Sequence, residues 1–341
     1  MATLVAAFAS SHSLMLACEL DDWLTRFRES DLRMPYYDET GAKISYADVL
    51  ARAPADAGRY ITAEAITARF HEVQAAMARM KSEIASAQLD ALIIVGDDQH
   101  ELFLDQHMPS IAIYHGATIR NAQRESMAPD DWYRLGQMRR LEVAGDTHYP
   151  CHAPLARHLI EGLVDAEFDV SAVAALGAEQ HEGHAYSFIH RWYLNSGPAL
   201  PGALDHDAPS TLPVVPIFLT PYNPPNQPTP KRCVKLGAAL RELIAAFPGD
   251  LRVGVIASGG LSHFIVEEDM DRAIIEALRK KDLAHLAGLD PRRLKAGSSE
   301  IRNWIVVAAA AHDLDLTWVS YTPGFRGPAL TGTGLGFARW S

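Results

Sequence analysis

At 341 residues, with 48% hydrophobic and 21% charged side chains, the chain has the size and composition of one large globular domain or two closely packed ones, which excludes wholesale disorder. Its formal net charge of −11, with no basic block, no RNP-type aromatic strand and no zinc-finger spacing, argues against nucleic acid and anionic membranes as partners. Cys18, Cys151 and Cys233 are odd in number, widely spaced and form no CxxC pair, so neither a disulfide framework nor a thiolate zinc site is expected.

The first 16 residues are apolar but carry no Lys or Arg, and Ser10-Ser11-His12-Ser13 interrupts them too early for a membrane span. A buried strand over residues 4–8 and a cytoplasmic location are expected instead. Residues 62–88 place apolar side chains at helical spacing, and 91–95 form a fully apolar strand. The polar cluster Gly96-Asp97-Asp98-Gln99-His100-Glu101 follows at that strand's C-terminal end, where open α/β sheets place their ligands. Further strands are expected over 110–114, 172–176, 214–219 and 252–257, with helices over 155–164, 231–247 and 269–280. This alternation predicts an α/β sandwich around a largely buried central sheet. No internal repeat or linker divides the chain, so 1–341 is one domain, with 283–341 packing as a C-terminal cap or oligomer contact.

Polar clusters at strand ends carry the candidate chemistry. They are Ser11-His12-Ser13, Asp97 to Glu101, and Ser262-His263 with Glu267-Glu268-Asp269. Each contains a His and two contain carboxylates. Two imidazoles and one carboxylate on one face of an octahedral ion leave positions open, a pattern suited to Fe(II) that must bind both substrate and O₂. Taken singly, each His is equally served by backbone hydrogen bonds at a strand end. A fourth cluster, Gly177-Ala178-Glu179-Gln180-His181-Glu182-Gly183-His184-Ala185-Tyr186, puts two His beside a Gly, which allows one imidazole to project into a cleft as an acid/base.

Ala7-Phe8-Ala9-Ser10-Ser11-His12-Ser13-Leu14-Met15-Leu16 resembles the opening strand and loop of class III extradiol ring-cleavage dioxygenases, the superfamily of the protocatechuate 4,5-dioxygenase catalytic subunit. Ser258-Gly259-Gly260-Leu261-Ser262-His263-Phe264, followed by Glu267-Glu268-Asp269-Met270-Asp271, resembles that family's GGxSH loop and its downstream metal-ligating Glu. Glu182-Gly183-His184-Ala185-Tyr186 lies where the family carries its catalytic His, and His152 where many members carry another active-site His. Asn223-Pro224-Pro225-Asn226-Gln227-Pro228-Thr229 resembles a substrate-side loop of the methylgallate- and gallate-dioxygenase-like branch. The chain departs from the pattern at one place. Relatives supply a second His ligand from an Asn-Asp-His run, but here the run is Asp97-Asp98-Gln99-His100 and strict register puts Gln99 at the ligand position.

The resemblance implies a central mixed sheet flanked by helices. It implies an Fe(II) centre held by His12, His100 and Glu268, with Gln99 or Asp98 as alternatives to His100, and Glu267 or Asp269 as alternatives to Glu268. His184 is implied as the acid/base, His152 and His263 as further active-site groups, and the substrate as a small aromatic diol opened with O₂ beside its two hydroxyls. A lignin-derived methoxylated or gallate-like catechol fits the branch, and a homodimer is the expected assembly. Two rival readings remain open: a non-catalytic binding module of the same fold, motivated by the displaced His100, and a metal-dependent hydrolase.

Overall fold

Strand residues alternate between two cores. Ile93, Val95, Val215, Ile217, Val253 and Val255 belong to one, and Leu92, Ile94, Phe218 and Ile256 to the other, as the two-residue period of a pleated strand requires. In the computed structural model, which describes residues 1–122, 136, 141–143, 145–196 and 208–341, these strands form a mixed sheet covered on both faces.

Among the described residues the main sheet has nine strands: β1 (Thr3–Ser10), β2 (Ala91–Asp97), β3 (Ile111–Tyr114), β4 (Ser171–Val173), β5 (Val214–Leu219), β6 (Arg252–Ser258), β7 (His263–Ile265), β8 (Leu316–Phe325) and β9 (Thr331–Trp340). They lie in the order β7-β9-β1-β6-β2-β5-β3-β4, with β8 also paired to β9. The central β1, β6, β2 and β5 are mutually parallel. Antiparallel β9 and β3 flank them. Every residue of β2 and β5 is buried, which explains why their sequences are apolar up to Asp97 at the end of β2: a strand covered on both faces has no polar side to alternate with.

Helices α1 (Ala63–Ser86) and α3 (His184–Ile189) cover one face, with Val73, Met77, Met80, Tyr186 and Phe188 in its core. Helices α2 (Ala153–Asp165), α4 (Pro230–Ala246), α5 (Glu268–Lys280) and α6 (Ile301–Ala310) cover the other, through Leu155, Leu159, Leu236, Leu240, Ile274 and Trp304. Their starts follow local chemistry. Thr62 accepts from the Ala65 N–H, and Thr229 from the Arg232 N–H with Pro230 at the first helical position.

Residues 283–341, expected as a cap or oligomer contact, supply α6, β8 and β9, and β9 pairs directly with β1 through Ala7↔Trp340 to Ser10↔Phe337. Gly332, Gly334 and Gly336 hide this strand in the sequence, because residues without side chains leave no alternation to read. The arrangement brings several C-terminal strand ends to one edge. Ser10 pairs with Ser258, Ala257 with Val95, and Asp97 with Leu219.

Candidate metal centre

At that edge His12, Asp97, His184 and Glu300 each direct one ligand atom to a common place, all within 4.8 Å of one another. His12 follows β1, Asp97 ends β2, His184 begins α3 and Glu300 immediately precedes α6. His12 Nε2 lies 3.2 Å from Glu300 Oε2 and 3.7 Å from Asp97 Oδ1. His184 Nε2 lies 3.2 Å from His12 Nε2, and the two rings meet edge-on at 73°.

Hydrogen bonding fixes what these rings present. Ser258 Oγ commits its hydrogen to the Ala185 carbonyl at 2.7 Å, so toward His12 Nδ1, 2.9 Å away, it can only accept. His12 therefore carries its hydrogen on Nδ1 and, when neutral, offers a bare Nε2 to the cluster. His184 Nδ1 likewise faces Glu101 Oε2 at 2.8 Å, which leaves the neutral ring's Nε2 lone pair aimed at the same spot. Asp97 Oδ1 is buried without a hydrogen-bond partner. Lone pairs and carboxylate oxygens converging in a buried place repel one another unless a cation stands between them, so the donor set fits a metal ion.

The charges agree. Burial drives Asp97 toward its neutral form, and the nearby Glu300 carboxylate adds to that. Burial pushes Glu300 in the same direction, but His263 and His12 outweigh it and hold Glu300 well below the usual carboxylate range. Burial opposes charge on His184, yet Glu101, with Asp97 and Glu300 behind it, pushes its pKa up to about 10. Without a metal, a proton on His184 supplies the positive charge that the carboxylates demand.

Second contacts hold the cluster in place. Glu300 Oε2 accepts from the Gly260 N–H at 2.6 Å, and Oε1 lies 3.1 Å from His263 Nε2. His263 Nδ1 donates to the Leu261 carbonyl at 2.8 Å. Both ring nitrogens of His263 thus face acceptors, which favours the imidazolium; burial opposes that charge, but Glu300 raises the pKa above the ordinary value. Gln99 donates to Asp97 Oδ2 at 2.8 Å and to Glu300 Oε1 at 3.4 Å. The loop before His263 is anchored by α5, where Asp271 accepts from the Ser262 N–H at 2.9 Å and from Ser262 Oγ at 2.6 Å.

Of the residues expected from sequence, the structure brings together His12, His184 and His263 and separates the others. His100 takes a left-handed backbone conformation with φ of 62°, which turns its ring outward to Asp105 at 3.1 Å. Glu268 begins α5 and pairs with Arg272 one turn on, at 3.0 Å. Its neighbour Glu267 pairs with Arg293. His152 caps α2 by accepting from the Leu155 N–H, and its own N–H donates to Val214 at the start of β5. That is the opposite edge of the sheet from Asp97, which pairs with Leu219 at the end of the same strand.

Glu300, Asp97 as a member of the cluster and Glu101 as a support went unselected in the sequence. Glu300 had a usable signal. It is a carboxylate directly before the all-buried helix Ile301–Ala310, which is apolar apart from Arg302 and Asn303, and a charge carried into such surroundings needs a partner.

Comparison with known proteins bears on the family of the chain. Residues 67–335, most of the chain, match the family model described as the catalytic LigB subunit of aromatic ring-opening dioxygenase. A gallate dioxygenase from Pseudomonas putida is 34% identical over 112 residues, covering 33% of this chain and 28% of that protein. A 2,3-dihydroxyphenylpropionate/2,3-dihydroxicinnamic acid 1,2-dioxygenase from Comamonas testosteroni is 25% identical over 191 residues, 56% of this chain and 48% of that one. The chain thus spans about half or less of the length of these curated relatives.

Proposed function

Because the chain belongs to the family of catalytic LigB subunits of aromatic ring-opening dioxygenases, we propose that it is an Fe(II)-dependent extradiol dioxygenase acting on a catechol-type aromatic. A lignin-derived methoxylated or gallate-like diol is the substrate class we assign, in keeping with the gallate dioxygenase among its relatives. The observation that carries the reading is the buried convergence of imidazole nitrogens and carboxylate oxygens at the C-terminal edge of the parallel strands.

His12 and Glu300 would hold the ion, with Asp97 beside them. The chemistry Fe(II) supplies there is joint binding of a vicinal diol and O₂, with electrons passing from the ring to dioxygen, so that both oxygen atoms enter the ring-opened product. The chain's own groups do the rest. Glu300 stays ionised because His263 and His12 flank it. His263 holds a proton at Nε2, 3.1 Å from Glu300 Oε1, at the margin of the cluster where a substrate hydroxyl would exchange one. Gln99 fixes the rotamers of Asp97 and Glu300 by donating to both. Burial of His12, Asp97 and Glu300 excludes bulk water and strengthens every charge interaction among them.

A cytoplasmic homodimer is the assembly we assign; no helix among the described residues is long and apolar enough to cross a membrane. The test is anaerobic loading with Fe(II), followed by O₂ uptake with a panel of catechols and gallates. One O₂ consumed per diol, with a yellow ring-opened product, is expected. Absence of uptake with every diol, or turnover that persists without O₂ as a metal-dependent hydrolase would show, overturns the proposal.

A further inference from the structure

We propose that the second imidazole ligand of this centre is His184, delivered from α3, and that Glu101 is the positioning residue that holds it in its ligating pose. The inference rests on the metal-centre reading above and goes further by naming which ring completes it.

Glu101 grips His184 at two points. Its Oε1 accepts from the His184 backbone N–H at 2.9 Å, and its Oε2 accepts from Nδ1–H at 2.8 Å. The first bond fixes where the residue starts its helix, and the second fixes the ring's rotation and tautomer. Gly183 makes the approach possible, since a Cβ there would stand 2.5 Å from Glu101 Oε2. With Nδ1 committed, the ring has one lone pair left, on Nε2, and that atom sits 3.2 Å from His12 Nε2. A carboxylate on one nitrogen and an ion on the other is the usual way a protein fixes a metal-binding imidazole and raises its basicity.

The neighbouring segment leaves this role to His184. Gln99, two residues past the end of β2, points an amide N–H₂ at the two carboxylates, and an amide nitrogen has no lone pair to give a metal. His100 is turned outward to Asp105. The segment after β2 therefore contributes no imidazole to the cluster; it contributes the Glu101 carboxylate that orients one from elsewhere.

The test uses Co(II) as a probe of the metal-free protein under anaerobic conditions. Affinity is measured by competition with a chelator, and proton NMR reads the exchangeable, strongly shifted N–H signals of metal-bound imidazoles. Wild type should show two such signals, from the Nδ1–H groups of His12 and His184. His184→Ala should show one, with affinity reduced more than in Glu101→Gln. Glu101→Gln, which keeps the shape but weakens the grip, should lose roughly 10–100-fold in affinity. Tight Co(II) binding with one signal in wild type, or His184→Ala that binds as wild type does, overturns this proposal and leaves the metal centre standing. Failure of wild type to bind Co(II) overturns both. If His184→Ala does not fold, Glu101→Gln decides: unchanged affinity with an unchanged spectrum rejects the assignment.

Discussion

Glu300 and Glu268 show how one residue's surroundings decide its role. Both are acidic residues beside a helix start, but Glu300 is buried between His12 and His263, whereas Glu268 reaches solvent and pairs with Arg272. A metal ion stabilised by converging carboxylate and imidazole groups should be lost when one charged ligand becomes neutral. Glu300→Gln is therefore expected to abolish stoichiometric iron, and Glu268→Ala to leave it unchanged; metal analysis of the two purified variants separates them. His263 faces Glu300 from the side away from His12, so His263→Phe should keep iron while slowing turnover on the order of 10²–10⁴-fold, the usual range for a lost acid/base. Wild-type kcat in that variant would remove His263 from the chemistry. His12 and His263 were legible in the sequence because each sits in a short polar break directly after an apolar strand. His100 misled for a physical reason: a left-handed residue reverses the side chain's direction, and composition does not announce a positive φ at a non-glycine position.

Among elements, α5 does for the Gly259–His263 loop what its acidic residues were first expected to do for a metal. Asp271 is fully buried and accepts from the Ser262 N–H, Ser262 Oγ and Tyr321 Oη. Burial pushes its carboxyl up to about 6 despite those hydrogen bonds. A folded-state pKa above the unfolded value means that the native state holds the proton more tightly. Its contribution is complete below roughly pH 4, the unfolded carboxyl's pKa, and is lost as pH rises through about 6. Asp271→Asn cannot ionise. Urea unfolding of both proteins at pH 4.5 and 7.5 should therefore show wild type losing on the order of 2 kcal/mol more than the variant across that interval. Parallel profiles would mean that Asp271 stays ionised when buried. The strands and helices expected before residue 283 lie within a few residues of observed elements, whereas β7, β8, β9, α3 and α6 were not read from the sequence. Residues 214–219 match β5, and 62–88 matches Ala63–Ser86, because long apolar runs and Thr caps leave little choice.

At the scale of the whole molecule, the centre draws on segments separated by most of the chain: His12, Asp97, His184 and Glu300 meet only when β1, β2, α3 and α6 are all docked. No local pattern encodes that meeting, which is why the edge of the sheet was foreseeable but its full membership was not. The C-terminal region matters most here, since it closes the sheet with β9 on β1 and also delivers Glu300. We propose that the metal binds at this four-residue convergence, and crystals of the Fe(II)-loaded protein, grown without oxygen and measured at the iron absorption edge, put that to the test. A single anomalous peak about 2.0–2.2 Å from His12 Nε2, His184 Nε2 and a Glu300 carboxylate oxygen is the predicted result. A peak beside His100 or Glu268, or none between His12 and Glu300 in protein that carries stoichiometric iron, would contradict it.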